Sequence, residues 1–371
     1  MKKVAIACQG GGSQTAFTAG VLRALFESGV QHRRQVVSLS GTSGGAICAS
    51  LAWYGLLKEA KGDTTPIPQR LLAFWDELTC GSSGERGFDD SIAAVLRIID
   101  RGMLPHFESS PAGPMCQAMM DMLRAYLPRL EFTDLKKLLE KHINFSEIKE
   151  LTGPKSPVLL VGAANVLTGE LKKFNSLKGE ICVEAILASA AVPTLFPAVK
   201  VGDDYYWDGL FSDNPPVQEL VRARTVEGHR TPDEVWVIQI NPTTCKKVPT
   251  TPGEITDRRN QMIGNISLMQ NLEVIELLNI LIKGGALKFD VLEKFGGVTK
   301  KDAFVVRFIR MSEELQDTLD YVSKLTRGPD HIGRLMADGE KQGRAFVEQF
   351  VTDDEAGNAQ KVEPELAVAA R

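Results

Sequence analysis

One serine stands in a sequence setting that is typical of a nucleophile. Residues Gly41-Thr42-Ser43-Gly44-Gly45 match the pattern G-x-S-x-G, in which a serine sits on a sharp turn between a strand and a helix. An apolar run at residues 36–40 precedes the turn, and an alanine-rich stretch follows it. Glycine neighbours are needed because the nucleophile adopts unfavourable backbone dihedrals and leaves no space for adjacent side chains. The pattern predicts that Ser43 attacks an electrophile, with an ordinary glycine loop as the alternative.

A run of three glycines earlier in the chain has similar surroundings. Gly10-Gly11-Gly12 follows a short apolar run at residues 4–8 and precedes a helical pattern. If the two apolar runs are neighbouring parallel strands, both turns lie at one edge of the sheet, where consecutive glycine N–H groups can bind an oxyanion without steric obstruction. A structural turn and a phosphate-binding turn of a nucleotide site remain as alternatives. The stretch lacks the last glycine of G-x-G-x-x-G, however, and no Walker lysine follows it.

A serine hydroxyl needs a base to remove its proton, and the chain offers two kinds of candidate. Asp208 ends a short aromatic stretch in Tyr206-Trp207-Asp208-Gly209-Leu210, although Asp-Gly is also common in ordinary turns. Only five histidines occur, and in the order Ser-Asp-His only His229 and His331 follow a plausible acid. Both histidines have polar neighbours that are typical of surface loops. The residues alone leave the choice between Asp208 and a histidine open.

The elements that must hold these residues follow a strand-turn-helix order that occurs twice before residue 58, which is typical of a parallel α/β sheet. Five apolar runs are candidate strands of this sheet: residues 4–8, 36–40, 157–164, 235–240 and 304–309. Residues 205–207 form a further strand candidate, and residues 184–191 are predicted to be helical. Because the runs extend over most of the chain, we expect one large α/β domain, residues 1–350.

Three segments lie outside this repeating order. Residues 58–128 combine Pro, Gly and Ser clusters with short amphipathic pieces, which predicts a helical insertion or lid. Residues 254–283 carry a long helical pattern of apolar side chains, which predicts a helix packed on the sheet. The alternative is a flexible apolar wall for an acyl chain or a bilayer contact. Residues 352–371 have no periodicity, and we expect a disordered tail.

The composition excludes several classes of function. With 43 basic and 47 acidic residues the formal charge is -4, so we expect no nucleic-acid partner. The histidines form no H-x₃₋₅-H pair and the six cysteines are scattered, so no metal and no cofactor is expected. The chain has no apolar run long enough for a membrane span, and the apolar residues near Met1 are too few for a signal peptide. We expect a cytoplasmic protein with at most peripheral contact to membranes.

Four motifs together give a specific resemblance. They are Gly10-Gly11-Gly12, Gly41-Thr42-Ser43-Gly44-Gly45, Ala188-Ser189-Ala190-Ala191-Val192-Pro193-Thr194-Leu195-Phe196-Pro197, and Asp208-Gly209-Leu210-Phe211-Ser212-Asp213-Asn214-Pro215-Pro216-Val217. In this order they resemble the patatin-like phospholipase family. The resemblance implies a three-layer α/β/α sandwich and a Ser–Asp catalytic dyad, with Ser43 as nucleophile and Asp208 as its base. It also implies an oxyanion hole from the N–H groups of Gly10, Gly11 and Gly12, to which the elbow geometry adds Gly44.

The chain departs from the family pattern at two places. The family usually has a basic residue in its first glycine turn, where this chain has Ser13-Gln14-Thr15, and Leu210 replaces a small residue after Asp208-Gly209. Neither change removes a catalytic atom. The resemblance implies a serine esterase of the phospholipase A type that cleaves lipid or acyl esters through an acyl-enzyme. The alternatives are an acyltransferase with the same acyl-enzyme, a catalytically inactive lipid-binding module, and a Ser-His-Asp hydrolase that uses His229 or His331.

Overall fold

A central sheet of eight strands organises the molecule in the computed structural model, which describes residues 1–101, 103, 113, 114, 118, 121, 134–193, 195–222, 230–294 and 302–352. The strands are β1 (Lys3–Cys8), β2 (Gln35–Gly41), β3 (Val158–Asn165), β4 (Leu171–Asn175), β5 (Val199–Val201), β6 (Asp204–Asp208), β7 (Glu234–Gln239) and β8 (Val305–Arg310). Their order is β5-β6-β3-β2-β1-β7-β8, and β4 pairs with β3.

The five strands that the apolar runs predict are all present and mutually parallel, because β1 pairs with β2 and β7, β2 with β3, and β7 with β8. The aromatic strand β6 is antiparallel to β3. The sequence did not predict the short strands β4 and β5, which are also antiparallel to their partners. Along β3, Val161 pairs with Gly41 and Ala163 pairs with Asp208. The ends of β2 and β6 therefore lie close together.

Helices cover both faces of the sheet. The longer ones are α1 (Ala16–Glu27), α2 (Gly44–Ala60), α3 (Ile67–Leu78), α4 (Ser83–Asp100), α5 (Leu135–His142), α6 (Val183–Ser189), α7 (Pro252–Lys283) and α8 (Pro329–Val347). Shorter helices are Val30–Arg33, Ile148–Leu151, Phe289–Lys294 and Glu313–Gln316. Two buried apolar clusters form the core. One joins β1 residues Val4 and Ile6 to α1, α2, α3 and α8, and the other joins Ala5 and Ala7 to α7. The fold is a three-layer α/β/α sandwich around a mainly parallel sheet.

Helix α7 begins at a capping box in which the Thr251 hydroxyl accepts from Glu254 N–H, an arrangement that satisfies the free N–H groups of a helix start. Its inner face buries Leu268, Leu272 and Ile275 against the sheet, as the packing interpretation of residues 254–283 expects. On its outer face Met262 and Ile266 are exposed. No helix among the described residues is both long and apolar enough to cross a membrane.

The predicted insertion and tail are described only in part. Helices α3 and α4 and the end of α2 lie within residues 58–101, whereas most of residues 102–128 and residues 353–371 lie outside the described residues. Three predictions from the sequence therefore stay predictions: that the insertion is a lid, that the end of the chain is a disordered tail, and that residues 1–350 form one domain.

Candidate active site

Ser43 occupies a strained turn between β2 and α2. Its backbone has φ 56° and ψ −132°, and it is the one non-glycine residue with positive φ in the described part of the chain. Such a conformation costs about 1–3 kcal/mol and persists where the surroundings enforce it. Ser43 N–H donates to Ser189 Oγ at 3.0 Å, and the Ser43 carbonyl accepts from Ala46 N–H at 2.9 Å. This geometry is that of a nucleophile elbow.

Close packing explains the glycines that follow Ser43. A Cβ on Gly44 would lie 2.2 Å from Thr15 Oγ1, and one on Gly45 would lie 2.3 Å from the Cys8 carbonyl oxygen. Both distances are shorter than real side chains tolerate. Cys8 is the last residue of β1, and Thr15 directly precedes α1. The two glycine turns predicted from the sequence therefore meet at one edge of the sheet.

Asp208, at the end of β6, is 1% exposed. Its Oδ1 accepts from Leu210 N–H at 2.7 Å. Its Oδ2 is buried and accepts no hydrogen bond of normal geometry from the described residues. Burial raises the pKa of Asp208 to about 7, against smaller lowering effects of the Leu210 N–H and the Ser43 hydroxyl. A carboxylate with a pKa near neutrality beside a serine hydroxyl is suited to act as a general base.

The first glycine turn lies directly against Ser43. A Cβ on Gly10 would lie 2.8 Å from Ser43 Cβ. The Gly10 N–H donates to Asn214 Oδ1 at 2.7 Å, whereas the N–H groups of Gly11, Gly12 and Gly44 have no hydrogen-bond partner within the described part of the chain. Unpaired, neighbouring N–H groups can bind an anion. The resemblance implies that the Gly10 N–H belongs to the oxyanion hole, whereas in this structure it donates to Asn214.

A buried polar network holds the loop after Asp208 against the glycine turn. Gln9 is fully buried, and its Oε1 accepts from the N–H groups of Ile240 and Asn241 at 2.8 Å each. Gln9 Nε2 donates to the Asn214 carbonyl at 3.3 Å. Asp213 pairs with Lys173 at 2.8 Å. Gln9 and Asn214 were not singled out as site residues from the sequence, although Gln9 directly precedes the glycines and Asn214 lies within the Asp208 motif.

The surroundings of the turns combine exposed aromatics and a polar cavity. Phe196 and Phe211, which belong to the two later sequence motifs, are each 50% exposed. A cavity of about 890 Å³ lies at the ends of β7 and β8, where Ile240 and Arg310 are among its lining residues. A Cβ on Gly11 would lie 2.5 Å from Ile240 Cγ2, so the cavity borders the first glycine turn.

The histidine candidates do not join this site in the described residues. The His331 ring pairs with the Ser323 carbonyl through Nε2 at 2.9 Å, and burial lowers its pKa. His229 lies outside the described residues. No group of three or more potential metal ligands occurs among the residues that the structure describes.

Comparison with known proteins gives three findings. A sequence profile of the family described as "Patatin-like phospholipase" matches residues 6–221. No curated protein matches the chain. Among solved structures, VipD from Legionella pneumophila is similar at 16% identity with a TM-score of 0.40, and the match covers 94% of this chain and 67% of that one. The type III effector ExoU is similar at 13% identity with a TM-score of 0.37, over 93% of this chain and 53% of that one.

Because the profile covers more than half of the sequence and includes both glycine turns and Asp208, this chain belongs to the patatin-like phospholipase family.

Proposed function

We propose that this protein is a lipid acyl hydrolase of the phospholipase A or esterase type, with Ser43 as nucleophile and Asp208 as general base. Asp208 takes the hydroxyl proton while Ser43 Oγ attacks the ester carbonyl carbon. The tetrahedral oxyanion then collapses, and the leaving alcohol takes the proton from Asp208. Water, deprotonated by Asp208, hydrolyses the acyl-enzyme and releases the fatty acid, and the proton returns to Ser43.

One observation carries this proposal: a serine on a strained elbow lies beside a buried carboxyl whose pKa is raised to about 7. Strain of this kind is kept at functional sites rather than in ordinary loops. A pKa near the working pH gives a base that is largely ionised and still able to hold a proton. Both features speak against a catalytically inactive lipid-binding module and against a simple structural glycine loop.

The oxyanion hole is the second part of the proposal. Gly11, Gly12 and Gly44 offer N–H groups without a described partner, and the N-terminal end of α2 adds a positive dipole. The Gly10 N–H already donates to Asn214. We therefore assign Gly10 the role of fixing the turn, because its N–H would have to leave Asn214 before it could bind the anion. Loss of one donor typically costs about 3–4 kcal/mol of transition-state stabilisation.

The proposed substrate is a lipid or other acyl ester presented at a membrane surface. The family supports a lipid substrate, and the exposed aromatic side chains of Phe196 and Phe211 supply apolar surface next to the motifs that carry the site. Aromatic rings are favoured at the boundary between water and lipid. The protein would then touch membranes peripherally, from the aqueous side.

The test is fatty acid release from phospholipid vesicles, followed by lipid-product analysis. We expect that Ser43→Ala and Asp208→Asn each lower the rate by about 10⁴-fold or more, as for other serine hydrolases that lose a catalytic group. Two matched controls should keep the wild-type rate: Ser40→Ala, on the strand β2 that precedes Ser43, and Asp204→Asn, on the strand β6 that carries Asp208. If Ser43→Ala or Asp208→Asn releases fatty acid at the wild-type rate, the proposed dyad is contradicted.

A further inference from the structure

The first glycine turn is held by a segment far from the family motifs. Residues 320–324, which we name the strap, lie beyond the family match at residues 6–221. A Cβ on Gly12 would lie 2.2 Å from the Lys324 carbonyl oxygen. Gly12 has φ +57°, so its backbone takes a left-handed conformation directly against the strap. The position of the Gly12 N–H therefore depends on where the strap sits.

Gln14 connects the turn to the strap by hydrogen bonds. Its side chain is 4% exposed, and Nε2 donates to Ser323 Oγ at 2.8 Å and to the Asp320 carbonyl at 3.3 Å. Ser323 is also buried. Hydrogen bonds between buried polar groups are costly to leave unmade. This is the position at which the family usually has a basic residue, and here a neutral amide binds a segment from the C-terminal part of the chain.

The strap itself is firmly held. The Ser323 N–H donates to Asp320 Oδ1 at 2.7 Å. Lys324 Nζ donates to Asn241 Oδ1 at 3.2 Å, and Asn241 Nδ2 reaches the Gly10 carbonyl at 3.5 Å. The strap therefore lies directly against Gly12 and Gln14, and it reaches Gly10 only through Asn241. A support that acts at several positions can fix a turn more precisely than one that acts at a single residue.

We propose that Gln14 and Ser323 are positioning residues for the reaction, which hold the Gly11 and Gly12 N–H groups where the oxyanion forms. The inference rests on the proposed function, because it assumes that these N–H groups bind the anion. Neither side chain touches the substrate. A displacement of about 1 Å at an active site can cost about 100-fold in rate, so a loosened turn lowers the rate of the chemical step. Ground-state binding of the acyl chain is little changed.

The test compares kcat and KM for ester hydrolysis in Gln14→Met, Ser323→Ala and the double variant. Gln14→Met keeps the length of the side chain but removes its hydrogen bonds. We expect kcat to fall about 10-fold to 100-fold in Gln14→Met, with KM within about twofold of wild type. Because the two side chains share the hydrogen bond between Gln14 Nε2 and Ser323 Oγ, the double variant should be no worse than about twofold below the poorer single variant.

Gln316→Met is the matched control. Gln316 Nε2 donates to the Met311 carbonyl at 2.7 Å, so the same substitution removes one hydrogen bond close to the strap without touching the glycine turn. We expect wild-type kcat in this variant, with a loss of Tm no larger than that of Gln14→Met, because Gln316 is only half-buried. Rescue of kcat in Gln14→Asn or Gln14→His, which return a donor, would support the inference further.

The outcomes separate the two proposals. Suppose that the wild-type protein hydrolyses the ester. If the kcat of Gln14→Met then stays within about twofold of wild type, or if Gln316→Met loses as much kcat as Gln14→Met, the positioning role is overturned and the proposed function remains intact. A wild-type protein that cleaves no acyl ester would overturn both.

Discussion

The two glycine turns of the site look alike in sequence and are held in different ways. The elbow at Ser43 is held by the start of α2, which follows it directly in the chain, and by Ser189, which is 146 positions away. The turn at Gly10–Gly12 is fixed from a distance, because Asn214 accepts from Gly10 N–H and the strap lies against Gly12. The elbow of the proposed nucleophile thus has one support that adjoins it in the chain, whereas both supports of the first turn lie more than half of the chain away. We therefore expect changes in the strap to act on the oxyanion rather than on Ser43.

Electrostatics separates the two turns as well. On the side of the nucleophile, Asp208 is a buried carboxyl whose pKa is raised to about 7. On the side of the first turn, burial lowers the pKa of the strap residue Lys324, and the nearby Asp257 opposes this effect. The two sides therefore differ in their polar groups: a buried carboxyl lies beside Ser43, whereas the first turn offers backbone N–H groups.

Among the changes that test this comparison of the two turns, the largest loss of activity is expected at Gly12. Gly12→Ala introduces a Cβ only 2.2 Å from the Lys324 carbonyl oxygen, at φ +57°, so the turn must move. We expect kcat/KM to fall about 100-fold or more, which is the range for loss of an oxyanion donor. Gly169→Ala is the matched control, because Gly169 has φ +72° and nothing within 4 Å of an added Cβ. It should cost about 1–2 kcal/mol of folding free energy and leave kcat/KM unchanged. Equal losses of activity in both variants would contradict the dependence on the strap.

A smaller effect, of tenfold per pH unit, is expected from titration of Asp208. Because the pKa of Asp208 is raised to about 7, this proposed base is ionised above that pH, and kcat should fall as pH decreases through about 7. A profile of kcat from pH 5 to 9 measures this. A rate that stays flat down to pH 5 would show that a group of lower pKa, and not Asp208, limits the reaction.

Titration of Asp208 should also affect stability, with the opposite sign to its effect on activity. A raised pKa means that the folded state binds a proton more tightly than the unfolded state, so stability falls as pH rises from the ordinary pKa of Asp, about 4, and levels off above about 7. The cost of the buried charge is on the order of 4 kcal/mol at pH 8. Asp208→Asn, which we expect to be inactive, should have a higher Tm than wild type at pH 8, and the difference should shrink toward pH 5. Asp204→Asn, the control, should show no such trend.

Local patterns predicted much of the fold and the core of the site. The five parallel strands are mainly apolar runs, and Ser43 and the glycine turns form short sequence motifs whose geometry follows from backbone sterics. Strand β4 escaped prediction because Leu171-Lys172-Lys173-Phe174-Asn175 has charged residues at its centre and no alternating pattern, and β5 has only three residues.

The supporting contacts could not be predicted because they join distant parts of the chain. Gln14 and Ser323 are 309 positions apart, and Gly10 and Asn214 are 204 apart. Nothing in the residues around Gln14 indicates a partner near residue 320. The roles of Ser43, Asp208 and the glycine amides stay predictions until activity is measured.

The most direct test of the central claim is the mass of the protein during turnover. Wild-type protein is mixed with a phospholipid or a chromogenic acyl ester, quenched in acid and analysed by intact-mass and peptide mass spectrometry. The account predicts an adduct with the mass of the acyl group on the peptide that contains Ser43, absent from Ser43→Ala and formed far more slowly in Asp208→Asn. Ester hydrolysis by wild type with the acyl group on another residue, or an undiminished adduct in Ser43→Ala, would contradict it.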